Sequence, residues 1–395
     1  VTTSLAYARQ HGLPLAIRSG GHDYAGNSVC DDGLVIDLSA LDGVELNLDL
    51  RTARVQAGAR WNAVDQAALA HGLATAGGTV STVGVAGFTL GGGVGHLSRS
   101  HGLAIDNLVS AELITADGRR VQASETENPD LFWAIRGGGG NFGIVTEFVY
   151  RLHPFSPTVY GGTLLYDFDQ AKDLLRFWAE FNQTLPDEAN VEPMWFVGED
   201  GRRMIVVEVV WSGNHRAGEM ALTPLLDFGR RAGGELGPME YARFQTKDDA
   251  YFGHDKLNYL KSGFIVEVTD AAIDAIVGNY EGDGLPASWF QHQGGAMARV
   301  APTDTAFVHR DVSVNLGVSS VWTDPAESGQ RIAAIRRYYE AVQPHMKGYY
   351  TNLNEEDEKK TWGNFGENYP RLVEIKNRHD PTNLFRLNAN IRPSR

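Results

Sequence analysis

The chain has 395 residues, 43% hydrophobic and 21% charged, with a formal net charge of −14, the composition of a globular protein with room for two or three domains. The acidic balance, without a long Lys/Arg run, excludes a nucleic-acid backbone as partner, and no stretch nears the ~18 apolar residues of a membrane helix. Cys30 is the only cysteine, which excludes an intrachain disulfide and a cysteine-based metal cage.

Residues 2–10 read as a helix stopped by Gly12. A fold opening on that helix lacks a preceding strand. A further segment is therefore expected before Val1, and with it any export signal, so the compartment stays open between cytoplasm and export. Residues 13–17 read as a short buried strand running into Arg18-Ser19-Gly20-Gly21-His22. Two glycines there let the backbone turn with its N–H groups exposed, which suits a pyrophosphate. Strands are expected at 34–38 and 54–58, with turns at Asp42-Gly43 and 47–50 between them, and a helix at 61–71 closed by Gly72. Residues 110–116 and 119–123 flank Asp117-Gly118, a hairpin signal because both turn positions tolerate positive φ. A helix at 131–136 runs into four glycines, and 141–152 reads as an apolar strand.

Beyond Pro154 and Pro157 the texture changes. Long alternating runs at 191–197, 204–211, 259–268, 287–300 and 307–322 lie among helical patterns at 169–181, 217–231 and 331–342. Such strands with one-sided helices describe an antiparallel sheet covered on one face. From Asn368 the tail reads helix, Asp380-Pro381 turn, short strand.

The chain holds 45 glycines, and eight of them fall between Gly77 and His96. Small and β-branched residues separate them, whereas a loose surface loop favours Ser, Asn, Asp and Lys. A stretch of this kind lays bare backbone amides along a large flat or anionic ligand. A third cluster, Gly138-Gly139-Gly140-Asn141-Phe142-Gly143, matches G-x-G-x-x-G only formally. It follows a helix and opens a strand, the reverse of the dinucleotide-binding arrangement.

Arg18-Ser19-Gly20-Gly21-His22, Thr82-Val83-Gly84-Val85-Ala86-Gly87 with Gly91-Gly92-Gly93, Asp130 to Gly139 and Asn383 to Ile391 occur in this order along the chain. In that order they resemble the berberine-bridge-enzyme-like FAD-linked oxidases of the vanillyl-alcohol-oxidase/p-cresol methylhydroxylase superfamily. The resemblance implies an α+β fold: a two-subdomain FAD-binding domain with an inserted substrate domain built on a helix-covered antiparallel sheet. The expected division is 1–155 for FAD, 156–364 for substrate, and 365–395 returning to the FAD domain.

The family's histidine in R-S-G-G-H is joined to the flavin, which gives that role to His22. The cysteine used by many members for a second link is Val80 here, so FAD is expected to be covalently bound through His22 only. By the same resemblance the cofactor site takes Arg18, Ser19, Gly20, Gly21, Asp23, Thr82, Val83, Gly84, Gly87, Gly91, Gly92, Gly93 and His96. It continues with Gly143, Ile144, Val145, Asn388 and Asn390. Val83 stands where a small residue permits reaction with O2.

Alcohol oxidation needs a base for the hydroxyl proton. Tyr350 in Tyr350-Thr351-Asn352 matches the family's Y-x-N tyrosine, placed as that base. The berberine-type glutamate has no counterpart, since the strand ending at Trp322 offers Gly317, with Asn315 on the same face. Asn315, Asn352 and His292 are the substrate-binding candidates, and His309-Arg310-Asp311 reads as scaffolding. The expected activity is oxidation of a hydroxyl group, on a sugar, oligosaccharide or polycyclic natural product, to carbonyl or lactone with release of H2O2. The alternatives are a C–N oxidase acting on an amine or nicotine-like substrate, and a flavin-free binding protein. The expected partners are a small-molecule substrate and O2, with no metal, membrane or nucleic acid. The oligomeric state is open.

Overall fold

The fold is given by a computed structural model that describes every residue except 199, 254–255, 281–286, 354–357 and 395, together with the side chains of 358–360. Two sheets organise it, each with its own apolar core.

The first is a five-stranded antiparallel sheet in the order Val44–Asn47, Thr52–Gln56, Ile144–Arg151, Leu108–Ile114, Arg120–Ser124. Beside it Leu15–Arg18 pairs in parallel with Leu34–Asp37. The helices Thr2–His11, Trp61–Leu69 and Pro129–Ile135 bury Leu5, Trp61, Val64 and Phe132 in a core that also holds Phe142, Phe148 and Tyr150. Leu372, Ile375, Phe385 and Ile391 belong to the same core, so the C-terminal segment packs back onto the first sheet.

The second sheet is antiparallel throughout, seven strands in the order Arg231–Glu240, Thr158–Asp167, Arg203–Trp211, Ala189–Val197, Ala287–His292, Val314–Trp322, Leu257–Ile265. The helices Ala171–Asn182, Asp270–Gly278 and Ser328–Val342 cover one face through Leu174, Trp178, Ile273, Ile335 and Tyr338. Period-two alternation sorts the strands. Val191 and Trp195, with Ile205, Val207 and Val209, enter that core, while Glu192, Met194, Phe196 and Glu208 line a cavity on the other face.

Several elements differ from the sequence reading. Strand 287–300 stops at His292, because Gly294 and Gly295 adopt φ of 88° and 57°, a left-handed conformation that ends the ladder. The strand expected from 307 begins at Val314. Helix 217–231 ends at Leu226, and Arg231 opens a glycine-rich edge strand. Val44–Asn47, Thr158–Asp167 and the helix Asp270–Gly278 were not anticipated. The tail forms its helix, Tyr369–His379, but no strand follows among the described residues. Side-chain bonds hold it instead. Lys376 Nζ, fully buried, donates to Asn141 O (2.8 Å), Phe385 O (2.9 Å) and Asp380 Oδ2 (2.7 Å). Asn141 in turn donates to Ala389 O and accepts from Ile391 N.

Candidate active site

A cavity of about 790 Å³ separates the glycine-rich loops from the uncovered face of the seven-stranded sheet, a size in the range of small-molecule and cofactor sites. On the loop side it is lined by Ser19, Gly20, Gly21, His22, Asp23, Val83, Gly84, Gly87, Gly91, Gly143, Ile144, Val145 and Asn388. With His96, fourteen expected cofactor residues thus converge from four distant parts of the chain. His22 Nε2 lies 3.1 Å from Thr82 Oγ1, and Ser19 Oγ donates to Ala57 O at 2.6 Å, so the strand-end turn is pinned on both sides of its glycines. Val80 also lines the cavity, whereas Cys30 is turned toward Pro14 O and Leu34 O.

The glycines divide by what they face. Gly87 opens on empty space, and Gly139 and Gly140 meet only the distant ends of Asn141 and Asn388. A Cβ on Gly20 would strike the backbone of Gly84, and the reverse also holds. These two let the loops approach each other. Gly91 similarly accommodates Asn352, Gly92 the Phe307 ring, and Gly93 Ala104 and Phe88. The expectation that the whole cluster faces a ligand is therefore corrected: Gly92 and Gly93 do not line the cavity, nor do Arg18, Thr82 and Asn390. Arg18 instead lies 3.9 Å from Asp37, and Thr82 reaches the site through His22. Polar capacity remains on the tail, where Asn388 Oδ1 and Asn390 Oδ1 are buried without a partner among the described residues.

Tyr350 stands on the cavity wall, 2% exposed. Its Oη accepts from Gly93 N (2.9 Å), Val94 N (3.1 Å) and Asn352 Nδ2 (2.9 Å). Asn352 is held in turn by Phe88 O. Burial among Phe264, Phe307 and Val94 raises the phenol's pKa, and the Val94 and Gly93 N–H groups and Asn352 oppose that shift. Three donors aimed at one oxygen favour its anionic form.

The sheet wall holds residues that sequence reasoning missed. Glu192 and Glu208 are direct cross-strand partners facing the cavity. Burial, with Glu208 adding to it, pushes the Glu192 carboxyl up to about 7. Burial also raises Glu208, against the pull of Lys247 at 2.7 Å. His96, expected beside the cofactor, lies 3.7 Å from Glu192 Oε2, and burial pushes its imidazole down to about 3. The alternation Val191-Glu192-Pro193-Met194-Trp195 already carried the signal, since a carboxylate between core-facing residues must point away from the core.

Two substrate candidates are corrected. His292 does not line the cavity. Its ring sits against Trp178 on the helix side, and its Nδ1 accepts from Val191 N at 3.3 Å. Asn315 is fully buried behind Gln291, donating to its Oε1 at 2.8 Å, so Gln291 is the residue presented to the cavity. Gly317 accommodates the Trp289 indole, leaving no room for a carboxylate there. His309-Arg310-Asp311 includes the buried pair Arg310–Asp106 at 2.7 Å. Among the described residues no group of three or more metal-ligating side chains occurs, and no helix is long and apolar enough to cross a membrane.

Comparison with known proteins matches this layout. Residues 1–124 match the FAD binding domain family, and residues 349–392 match the berberine and berberine-like family. The uncharacterised FAD-linked oxidoreductase YgaK of Bacillus subtilis is 32% identical over 403 residues, spanning 99% of this chain and 88% of its own. The (R)-6-hydroxynicotine oxidase of Paenarthrobacter nicotinovorans is 30% identical over 414 residues, spanning 100% and 89%. In structure, 6-hydroxy-D-nicotine oxidase from Arthrobacter nicotinovorans superposes with a TM-score of 0.90 at 27% identity, covering 100% of this chain and 90% of that one. A chitooligosaccharide oxidase gives 0.88 at 26%, again covering 100% and 90%. With its glycine loops, returning tail and inserted sheet arranged as in these relatives, the chain belongs to the berberine-bridge-enzyme-like FAD-linked oxidoreductases.

Proposed function

We propose that the protein is an oxidase that converts a hydroxyl group of a small molecule, a sugar, oligosaccharide or polycyclic natural product, to a carbonyl or lactone, with O2 reduced to H2O2. The observation that carries this reading is the Tyr350 oxygen, held by three N–H donors at the wall of the cavity. In this reading residues 1–155 and 365–395 hold the cofactor and 156–364 supply the substrate wall.

The residues present fit FAD. The loops expose backbone around Gly87, Gly139 and Gly140, and the unpartnered oxygen of Asn388, which lines the cavity, awaits a polar ligand. Ser19 to Asp23, Val83, Gly84 and Gly143 to Val145 would hold it, with His22 as its single covalent attachment. When bound, FAD supplies the acceptor for a hydride from the substrate carbon and passes the electron pair to O2. Tyr350, as the phenolate, takes the hydroxyl proton onto Oη and becomes neutral, and the Gly93, Val94 and Asn352 donors stabilise the phenolate that must be present before transfer. Phe264 and Phe307 keep water from that oxygen. Val83 is small enough to leave O2 a path.

A second reading, oxidation at a C–N bond, is favoured by the carboxylates Glu192 and Glu208 in the cavity, which suit a basic nitrogen, and by the similarity to nicotine oxidases. A panel of saccharides, polycyclic alcohols and amines, scored by H2O2 release and by anaerobic bleaching of the flavin, tests both. Turnover of hydroxyl substrates supports the first reading. Turnover of amines alone would replace it with the second.

A further inference from the structure

One wall of the cavity carries groups that proton transfer at Tyr350 does not use. Glu192 and Glu208 face each other across neighbouring strands, where like charges repel. Lys247 answers one of them, binding Glu208 at 2.7 Å and also Asp248. Glu192 has 12% of its side chain exposed and takes the His292 N–H on Oε1 at 3.1 Å. Its Oε2 lies 3.7 Å from His96 Nδ1, beyond hydrogen-bond reach. His96 is 4% exposed, with the Thr79 backbone as the one hydrogen-bonding group acting on its ring and no side-chain partner within hydrogen-bond distance of either nitrogen among the described residues. Asn190 also supports the Glu192 carboxylate, yet the gap between Glu192 Oε2 and His96 Nδ1 stays unbridged, and a third group with N–H donors fits it.

Charge and wall chemistry select that third group. Glu192, Glu208 and Asp248 line the cavity. The nearby cations already hold other partners: Lys247 binds Glu208 and Asp248 and reaches Glu192 and His96 only through its field, and Arg331 is bound by Glu327 and Ser320. Trp289, Tyr251 and Phe252 add aromatic surface to the same cavity, and carboxylates with aromatic faces in one cavity favour a cation. We propose that Glu192 and His96 form a subsite for a protonated amine of the substrate, with Glu192 as counter-ion and the His96 imidazole accepting one N–H. The inference rests on reading this cavity as the substrate site, and it narrows the proposed hydroxyl substrates to sugars or polycyclic molecules that also carry a basic nitrogen, whichever carbon is oxidised.

Cumylamine and cumyl alcohol test it. They share one shape, and neither has a hydrogen on the carbon bearing the heteroatom, so binding is measured without turnover. The holoenzyme is titrated with each by calorimetry and by the change in flavin absorbance. The ammonium compound should bind about tenfold or more tighter, the worth of one charged hydrogen bond. E192Q should remove the preference. Should that variant not fold, pH supplies a second measurement on the native protein. Affinity for cumylamine should rise as pH rises through about 7, where Glu192 ionises, and affinity for the alcohol should stay flat. Ionisation of Glu208 acts in the same direction, His96 stays neutral in that range, and Lys247 stays charged. Equal affinity for the two compounds, or no measurable binding of cumylamine, would overturn the subsite. Because no step depends on oxidation, that result would leave the oxidase reading untouched.

Discussion

Replacing Tyr350 by Phe removes a single oxygen, and two effects follow from the three groups that oxygen accepts from. Gly93 N and Val94 N, at 2.9 and 3.1 Å, are buried and lose their acceptor. Each orphaned donor costs about 1–3 kcal/mol, so the variant should lose roughly 2–6 kcal/mol of stability unless water enters. The second effect is chemical. With no oxygen to take the hydroxyl proton, flavin reduction should slow by about 10²- to 10⁴-fold, the usual contribution of a general base. Urea unfolding measures the first, and anaerobic stopped-flow reduction at saturating substrate measures the second. Asn352→Ala separates them, since it keeps the phenol and removes one donor at 2.9 Å. Losing a donor that favours the anion raises the phenol's pKa, so reduction in that variant should need a higher pH to reach its plateau. A Tyr350→Phe enzyme that is destabilised yet reduces at the normal rate would mean that Tyr350 only pins the Gly93–Val94 loop.

Lys376→Met should cost about 3–5 kcal/mol in urea unfolding, because Asp380 is left as a buried, uncompensated charge. An unchanged midpoint would mean the tail is held without this pair. Gly84→Ala should cost about 1–3 kcal/mol through overpacking and lower the flavin content of the purified protein, since the new Cβ meets Gly20 and the Ser19 hydroxyl. Normal stability with full flavin content would refute the close-approach argument.

The second sheet, its antiparallel character and the family were legible in the sequence, because its strands alternate and the glycine motifs are long and ordered, while the first sheet showed only as separate strands and one hairpin. The edges were not. Arg231–Glu240 carries three glycines and half-exposed residues, so no period shows, and its pairing with Thr158–Asp167 is set by the sheet. The division of the glycines was equally hidden. Gly87 and Gly93 read alike in one dimension, and only packing shows that one opens on the cavity while the other accommodates Ala104 and Phe88. His292 failed as a candidate for a local reason: in Ala287–His292, Trp289 and Gln291 share the cavity face and His292 takes the opposite one. The Glu192–Glu208 pairing, between residues 16 apart in number, needed the register of two strands, which alternation alone does not supply.

The central claim is that His22 and the surrounding glycine loops hold a covalently bound flavin at this cavity. Acid precipitation followed by proteolysis and mass spectrometry of the peptides tests it most directly. The account predicts a yellow precipitate, with the flavin mass on the peptide containing His22 and on no other. A colourless precipitate, or flavin on a different peptide, would contradict it.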